Sequence, residues 1–223
     1  MDTQRQAIAL DPKCWQAHRE LRNTLLELHQ PEKAHIAWRA WLAQGPRDLE
    51  SWDGYAELSL FLRDEAEYRR VRTELLTGVG IGSSTDPRVA ERVGRACLFL
   101  PASEEELRQA TNWIDLALAS ERAKPGWLLP YFRFAKALAE YRAGRLESAL
   151  TLLDGDTQQV LAPAPRLLLP MVQHRLGKAD AARASFCAAV AAYVWDVKRA
   201  TDREAWMFHL LRREAETVLA SKP

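Results

Sequence analysis

The sequence predicts an all-α protein built as a row of antiparallel helical hairpins. Apolar residues recur three and four positions apart, most clearly in 131–153, where Gly144 separates two amphipathic segments. The period-two alternation that is typical of strands is absent from the sequence. Candidate hairpin turns recur at a nearly constant spacing, because His29 to Arg63 is 34 residues and Gly144 to Gly177 is 33.

Turn and capping residues define the helices in order along the chain. Pro31 opens one helix at a first-turn position, where its missing N–H costs no hydrogen bond, and Asp86 with Pro87 predicts the start of another. Ser103 with Glu106 three residues later predicts a capping box. The predicted helices span 4–10, 13–28, 32–43, 48–62, 65–76, 87–99, 104–120, the two halves of 131–153, 166–176, 179–195 and 202–220.

We expect a single domain over residues 1–223, or two sub-blocks, 1–77 and 86–223, joined by a Gly/Ser-rich linker at 78–85. The GVGIGS run in that linker lacks the Lys-Ser/Thr pair of a phosphate-binding loop. Residues 155–165 are also predicted to form a loop. The helix end at 4–10 indicates either a piece of a longer array or a start inside a degenerate repeat.

Composition narrows the class of partner. The chain has 31 basic and 30 acidic residues, so there is no basic excess of the kind that nucleic-acid binding needs. No apolar run approaches the ~20 residues that cross a bilayer, so no membrane partner is expected. The cysteines Cys14, Cys97 and Cys187 form no CxxC pair and are interpreted as small buried thiols. A cytoplasmic setting is the default expectation.

No catalytic residue, cofactor site or metal site is predicted. His18, His29 and His35 lie near one another in the chain, but none forms an i, i+4 pair with a second ligand. No GxSxG or HExxH signature occurs. Four tryptophans fall at helical spacing with other apolar residues and are therefore assigned to the core: Trp38, Trp41, Trp113 and Trp206.

The repeat resembles a known family. Five residues after each turn stands a close-contact position, occupied by Ala34, Tyr68, Ala149 and Ala182. This period, and the segment ALAEYRAGRLESAL at 137–150, resemble the tetratricopeptide repeat, a helix–turn–helix unit of ~34 residues. The resemblance implies a tetratricopeptide-like α-solenoid of about five repeats with a C-terminal capping helix at 202–220.

A narrower resemblance concerns three segments, DPRVAERVGRACLFLP, YFRFAKALAEYRAGR and RREAETVL. Together they look like the repeat region that follows Ser/Thr kinase or WD40 modules in planctomycete-type bacterial proteins. That resemblance implies an accessory, regulatory segment of a larger signalling protein.

The resemblance to the tetratricopeptide repeat also implies a binding groove, since the first helix of each hairpin lines the concave side. Arg19 and Asn23 resemble the basic–amide pair with which chaperone-binding members hold a peptide carboxylate, whereas an ordinary solvated helix face is the alternative. The predicted groove residues are Arg19, Asn23, Asp53, Glu57, Tyr131, Phe134, Leu138, Met171 and His174.

The first functional hypothesis is a non-enzymatic protein–protein interaction scaffold that binds a peptide or a partner helix in this groove. It expects Phe134→Asp to abolish partner capture and to leave the helicity intact. The alternatives are a structural or self-assembling module, and an enzyme whose site is too dispersed to recognise in the sequence.

Overall fold

A computed structural model describes residues 2–78, 86–121, 126–161 and 163–221. Over these residues the chain contains helices and connecting turns but no strand, which confirms the all-α prediction. The α-helices, numbered in chain order, are α1 Asp2–Leu10, α2 Trp15–Glu27, α3 Pro31–Leu42, α4 Leu49–Trp52, α5 Tyr55–Phe61, α6 Glu65–Leu76, α7 Pro87–Ala96, α8 Glu104–Ser120, α9 Leu129–Arg142, α10 Leu146–Leu152, α11 Ala164–Arg175, α12 Ala179–Ala191 and α13 Arg203–Ala220.

Four hairpin turns share one backbone geometry. The turn residues His29, Arg63, Gly144 and Gly177 all have left-handed φ, between 55° and 76°. In each turn the following N–H donates to the carbonyl five residues earlier, at 2.8 to 2.9 Å, and the turn residue's own N–H donates to the carbonyl three residues earlier. This is the Schellman arrangement, which satisfies the last free carbonyls of a helix. The four turns that the sequence spacing predicts are therefore structurally equivalent.

The hairpin of α7 and α8 has a different connection, but its capping residues are those predicted. Asp86 caps α7, and Ser103 with Glu106 forms the predicted capping box of α8. The two helices approach closely at Gly94, where an added Cβ would lie 2.7 Å from the carbonyl oxygen of Ala110 and 2.7 Å from Cγ1 of Ile114. A side chain at this position would push the two helices apart.

The predicted helix 48–62 is broken into α4 and α5. Gly54 adopts a φ of 97°, and a Cβ there would lie 3.4 Å from Trp38 and 3.5 Å from Trp206. The break follows from this left-handed backbone, which a continuous right-handed helix does not contain and which glycine adopts readily. A second local difference is a 3₁₀ helix at Gly155–Gln159, within the predicted loop.

The chain folds into two compact units that do not coincide with single stretches of sequence. Unit 1 comprises Met1–Gly82 and Asp196–Trp206, and unit 2 comprises Ser83–Trp195 and Met207–Pro223. The first four residues of α13 thus belong to unit 1, and the remainder belongs to unit 2. Apart from Gly78, the predicted linker at 78–85 lies outside the described residues.

Each unit is built from hairpins that contact the next hairpin along the chain. In unit 1, α1 packs on α2, α2 pairs with α3, α3 contacts α5, and α5 pairs with α6. In unit 2, α7 pairs with α8, α9 with α10 and α11 with α12, while α9 contacts both α7 and α8, and α11 contacts both α9 and α10. Consecutive packing of this kind is what repeated hairpins with one apolar face each require.

The buried side chains confirm most of the predicted core. Trp38, Trp41 and Trp206 are buried, whereas Trp113 is only half-buried. The cysteines differ from the prediction, because Cys97 is buried, Cys14 is half-buried and Cys187 is exposed. An Ala-rich outer face of α12 leaves Cys187 in solvent, which corrects its assignment as a buried thiol.

Candidate protein-binding surfaces

The predicted groove residues of unit 1 lie around α2. Arg19 is half-buried, and its guanidinium lies 3.3 Å from the Glu50 carboxylate. Asn23, one turn further along α2, is also half-buried. We name the α2 surface the set Arg19, Arg22, Asn23, Glu50 and Asp53. Its two arginines lie on α2, and its two carboxylates lie on α4 and directly after it.

Arg22 is a residue of this surface that was not predicted from the sequence. Its guanidinium lies over the ring of Trp38 at 4.2 Å and near Trp15 at 5.8 Å, and its Nε donates to Oδ1 of Asn23 at 3.1 Å. Burial, assisted by the positive charge of Arg19, lowers the pKa of Arg22. The available signal was the i, i+3 spacing of two arginines one and two turns after a tryptophan.

Most charged groups of the α2 surface already form ion pairs with other residues of the protein. Arg203 holds both carboxylate oxygens of Asp53, at 2.5 and 2.7 Å. Glu50 takes the position that a peptide carboxylate would take at Arg19, and it is exposed. A carboxylate ligand would therefore have to displace Glu50, which a solvent-exposed ion pair permits at small cost. The fourth residue predicted here, Glu57, is buried on α5, so it does not line a surface.

In unit 2 most of the predicted groove residues are buried. Phe134, Leu138 and Met171 have no exposed surface, and His174 is 5% exposed. This corrects the expectation that their side chains are accessible to a docking peptide, because they are packed in the core of unit 2. The correction extends to Phe134→Asp, which would place a carboxylate in the core and disturb folding directly.

Tyr131 is the predicted residue of unit 2 that is only half-buried. Its ring meets that of Trp127 edge-on, with the centroids 6.0 Å apart, and Trp127 is 73% exposed. Trp127 was not among the residues predicted to line a surface. Its position directly after the sequence Lys-Pro-Gly was the available hint in the sequence that it lies outside the core.

Helix α13 contacts the first helices of two hairpins in unit 2. Arg95 of α7 lies 3.2 Å from the sulfur of Met207, and Arg142 at the end of α9 forms an ion pair with Glu214. A helix that only capped the last hairpin would contact α11 and α12. The contacts of α13 reach further, and its Met207, Leu211 and Ala215 side chains are fully buried.

Arg142 is held on two sides. Its Nε donates to the carbonyl of Leu98 at 2.7 Å, and its Nη2 donates to the carbonyl of Phe99 at 3.1 Å and to Oε2 of Glu214 at 2.7 Å. The turn after α7 thus orients the guanidinium of a side chain that is only 5% exposed. Planar, multidentate recognition of a carboxylate is the chemistry for which arginine is suited.

Unit 1 also contains a buried polar network at the second hairpin. The Tyr55 hydroxyl donates to Oε1 of Glu67 at 2.8 Å, and Arg70 donates to both Glu67 oxygens at 2.8 and 3.0 Å. These hydrogen bonds lower the pKa of Glu67 to about 2, whereas burial raises the pKa of Tyr55. A neighbouring cavity of about 450 Å³ is lined by Arg39, Arg70, Trp52 and others.

One Ser–His pair occurs in this network, between His35 and Ser59. The His35 Nε2 and Ser59 Oγ atoms are 2.9 Å apart, but the Ser59 hydroxyl donates to the carbonyl of Tyr55 at 2.8 Å. The imidazole must therefore donate to the serine oxygen and does not accept its proton. Because both side chains are buried, the pair is arranged to join helices and not to attack a substrate.

Metal-binding and membrane-spanning features are both absent from the described residues. No group of three or more His, Cys, Asp or Glu side chains is placed there to hold a metal ion. No helix in that part of the chain combines the length and the apolar character needed to cross a membrane. In comparisons with known proteins, no protein-family model matches the sequence, and neither does any curated protein.

Proposed function

We propose that the protein is a non-enzymatic protein–protein interaction scaffold. Its hairpins form a tetratricopeptide-like α-solenoid, and their first helices hold a peptide or a partner helix. The partner is a protein, and neither nucleic acid nor a membrane takes part. The setting is cytoplasmic, either alone or as a regulatory segment of a larger signalling protein.

The observation that supports this proposal is the contact of α13 with α7 and α9 in unit 2. An amphipathic helix lies against the first helices of successive hairpins, with an apolar face buried and an arginine bound to its glutamate. We expect a helix of a partner protein to bind to first helices of the hairpins in the same way. The equivalent turns of four hairpins support the repeat architecture on which it depends.

The α2 surface offers a test that leaves the core untouched. We expect Arg19→Glu to reverse the charge next to Glu50 and to lower partner capture from the native cytoplasm by about tenfold, which corresponds to about 1.4 kcal/mol of binding free energy. Arg69→Glu is the matched control, because Arg69 is exposed on the second helix of a hairpin. Equal capture by wild type and Arg19→Glu contradicts docking on α2.

A second candidate function, self-assembly, is favoured by one observation. Within α1, none of the residues is buried, and Leu10 is 89% exposed. A second copy could cover this apolar edge. Light scattering across concentration distinguishes the candidates, since self-assembly predicts a mass that rises with concentration and falls in Leu10→Glu. A monomer at all concentrations contradicts it.

A further inference from the structure

The contacts of α13 in unit 2 have the character of a ligand in a binding site. Met207, Leu211 and Ala215 recur at i, i+4 and i+8, so they form one face of the helix, and all three are fully buried. Glu214 adjoins this face and reaches Arg142. Apolar anchors with one carboxylate at a fixed position define a recognition pattern for an amphipathic helix.

The surface beneath α13 includes buried charged side chains. Arg95 and Glu91 form an ion pair whose side chains are only 3% and 5% exposed, with Nε and Oε1 2.5 Å apart. Arg142 is equally buried. Buried ion pairs are commonly no better for stability than apolar side chains of the same volume. The presence of these charged groups beneath α13 is therefore not explained by stability alone.

The segment between α12 and α13 connects α13 covalently to the surface on which it lies. Between α12 and α13 the chain includes Val194 and Val197, which are both exposed. Two rings that precede α13 in the chain also contact it. The ring centroid of Tyr193 lies 5.0 Å from that of Phe208, and the ring centroid of Trp195 lies 5.6 Å from that of His209. A tether makes binding intramolecular, so α13 has a high effective concentration at this surface and suppresses binding in trans.

We propose that the part of α13 that belongs to unit 2, residues 207–220, is a displaceable occupant of a helix-binding surface on α7 and α9. The partner that fits the surface is an amphipathic helix with apolar residues at i, i+4 and i+8 and a glutamate at i+7, as in Met207, Leu211, Ala215 and Glu214. This inference rests on the proposed function and names its partner class. Arg142 is the residue that selects the glutamate.

The test uses the full chain and a fluorescein-labelled peptide of residues 207–220, which leaves out the residues of α13 that contact unit 1. Glu214→Arg places two cations together at Arg142 and weakens the docking of α13 without altering its apolar face. Glu216→Arg is the matched control, because Glu216 is exposed and is bonded to Arg212 of the same helix. The readout is fluorescence anisotropy, with hydrogen exchange of the α13 amides measured on the same samples.

We expect Glu214→Arg to bind the peptide at least about tenfold more tightly than wild type or Glu216→Arg, and its α13 amides to exchange faster. Adding Arg142→Gln to Glu214→Arg should remove that gain. A dimer formed by exchange of α13 between copies would also support the proposal, since it shows that α13 binds in trans.

Two results would overturn the inference. One is unchanged exchange of α13 in Glu214→Arg, which means that the ion pair does not hold the helix. The other is faster exchange without any gain in peptide binding, which means that the exposed surface does not recognise this helix. Neither result affects capture on the α2 surface, so failure here is distinguishable from failure of the proposed function.

Discussion

Because the four hairpin turns are equivalent, introducing glycine at a turn residue should stabilise the protein and removing glycine should destabilise it. His29 and Arg63 adopt φ values of 55° and 64° with a side chain present, whereas Gly144 and Gly177 adopt 75° and 76° without one. Left-handed backbone costs an L-residue about 1–2 kcal/mol, and the greater freedom of glycine in the unfolded chain offsets part of that. We therefore expect His29→Gly and Arg63→Gly each to raise the free energy of unfolding by about 1 kcal/mol.

Replacing the glycine of the other two turns by alanine should lower the free energy of unfolding by a similar amount. A Cβ at Gly177 would have no atom within 4 Å, and a Cβ at Gly144 would have only Arg175 Nη2 at 3.9 Å. Since neither substitution creates a clash, Gly144→Ala and Gly177→Ala should each cost about 1 kcal/mol through the backbone alone.

Urea unfolding followed by circular dichroism measures these changes, provided that the m-values agree. His29→Ala and Arg63→Ala are the controls, because they remove the side chain and keep the unfavourable φ. Both residues are exposed, so the alanine variants should lie within about 0.5 kcal/mol of wild type. Glycine variants no more stable than the alanine variants would refute the equivalence of the four turns.

Three further predictions concern the two cores. Gly94→Ala should destabilise unit 2 by about 1–2 kcal/mol despite the better helix propensity of alanine, because the new Cβ lies 2.7 Å from Ile114; a stabilised variant in thermal unfolding would show that the helices separate freely. The depressed pKa of Glu67 contributes on the order of 1–2 kcal/mol once solvent screening of the half-exposed Arg70 is allowed for; this stability is present above about pH 4.5 and is lost as the pH falls toward 2, so Glu67→Gln should flatten the stability profile between about pH 5 and 3, and an unchanged slope in urea titrations contradicts this. Phe134→Asp should reduce helicity in circular dichroism, because its ring has no exposed surface, and a fully helical variant would contradict the burial.

Features that depend on neighbours in the chain were predictable from the sequence. The turn at Gly144, the N-cap at Asp86 and the capping box at Ser103 each arise from hydrogen bonds within a few residues. Local chemistry of this kind leaves a local signature. Helix periodicity likewise predicted the all-α class, because one apolar stripe per helix is visible in any window of the sequence.

Features that depend on distant segments were not predictable in this way. The packing of Trp206 against Gly54 joins distant parts of the chain. The hydrogen bonds of Arg142 likewise require Leu98 and Glu214, which are 44 and 72 residues away from it. The burial of Phe134 depends in the same way on which elements cover α9. Periodicity shows that a face is apolar but does not show whether another element covers it. Four of the five groove residues predicted in unit 2 are therefore buried, and Tyr131 is half-buried.

The contact of α13 with α9 is most directly tested by a double-mutant cycle on one ion pair. Arg142→Gln, Glu214→Gln and the double variant are unfolded in urea, and the coupling free energy is taken from the four stabilities. Because Arg142 is nearly fully buried and bonded to backbone carbonyls, we expect a coupling of about 1–3 kcal/mol. Single effects that simply add would show that α13 is not held on α9, and the proposed helix recognition would lose its main support.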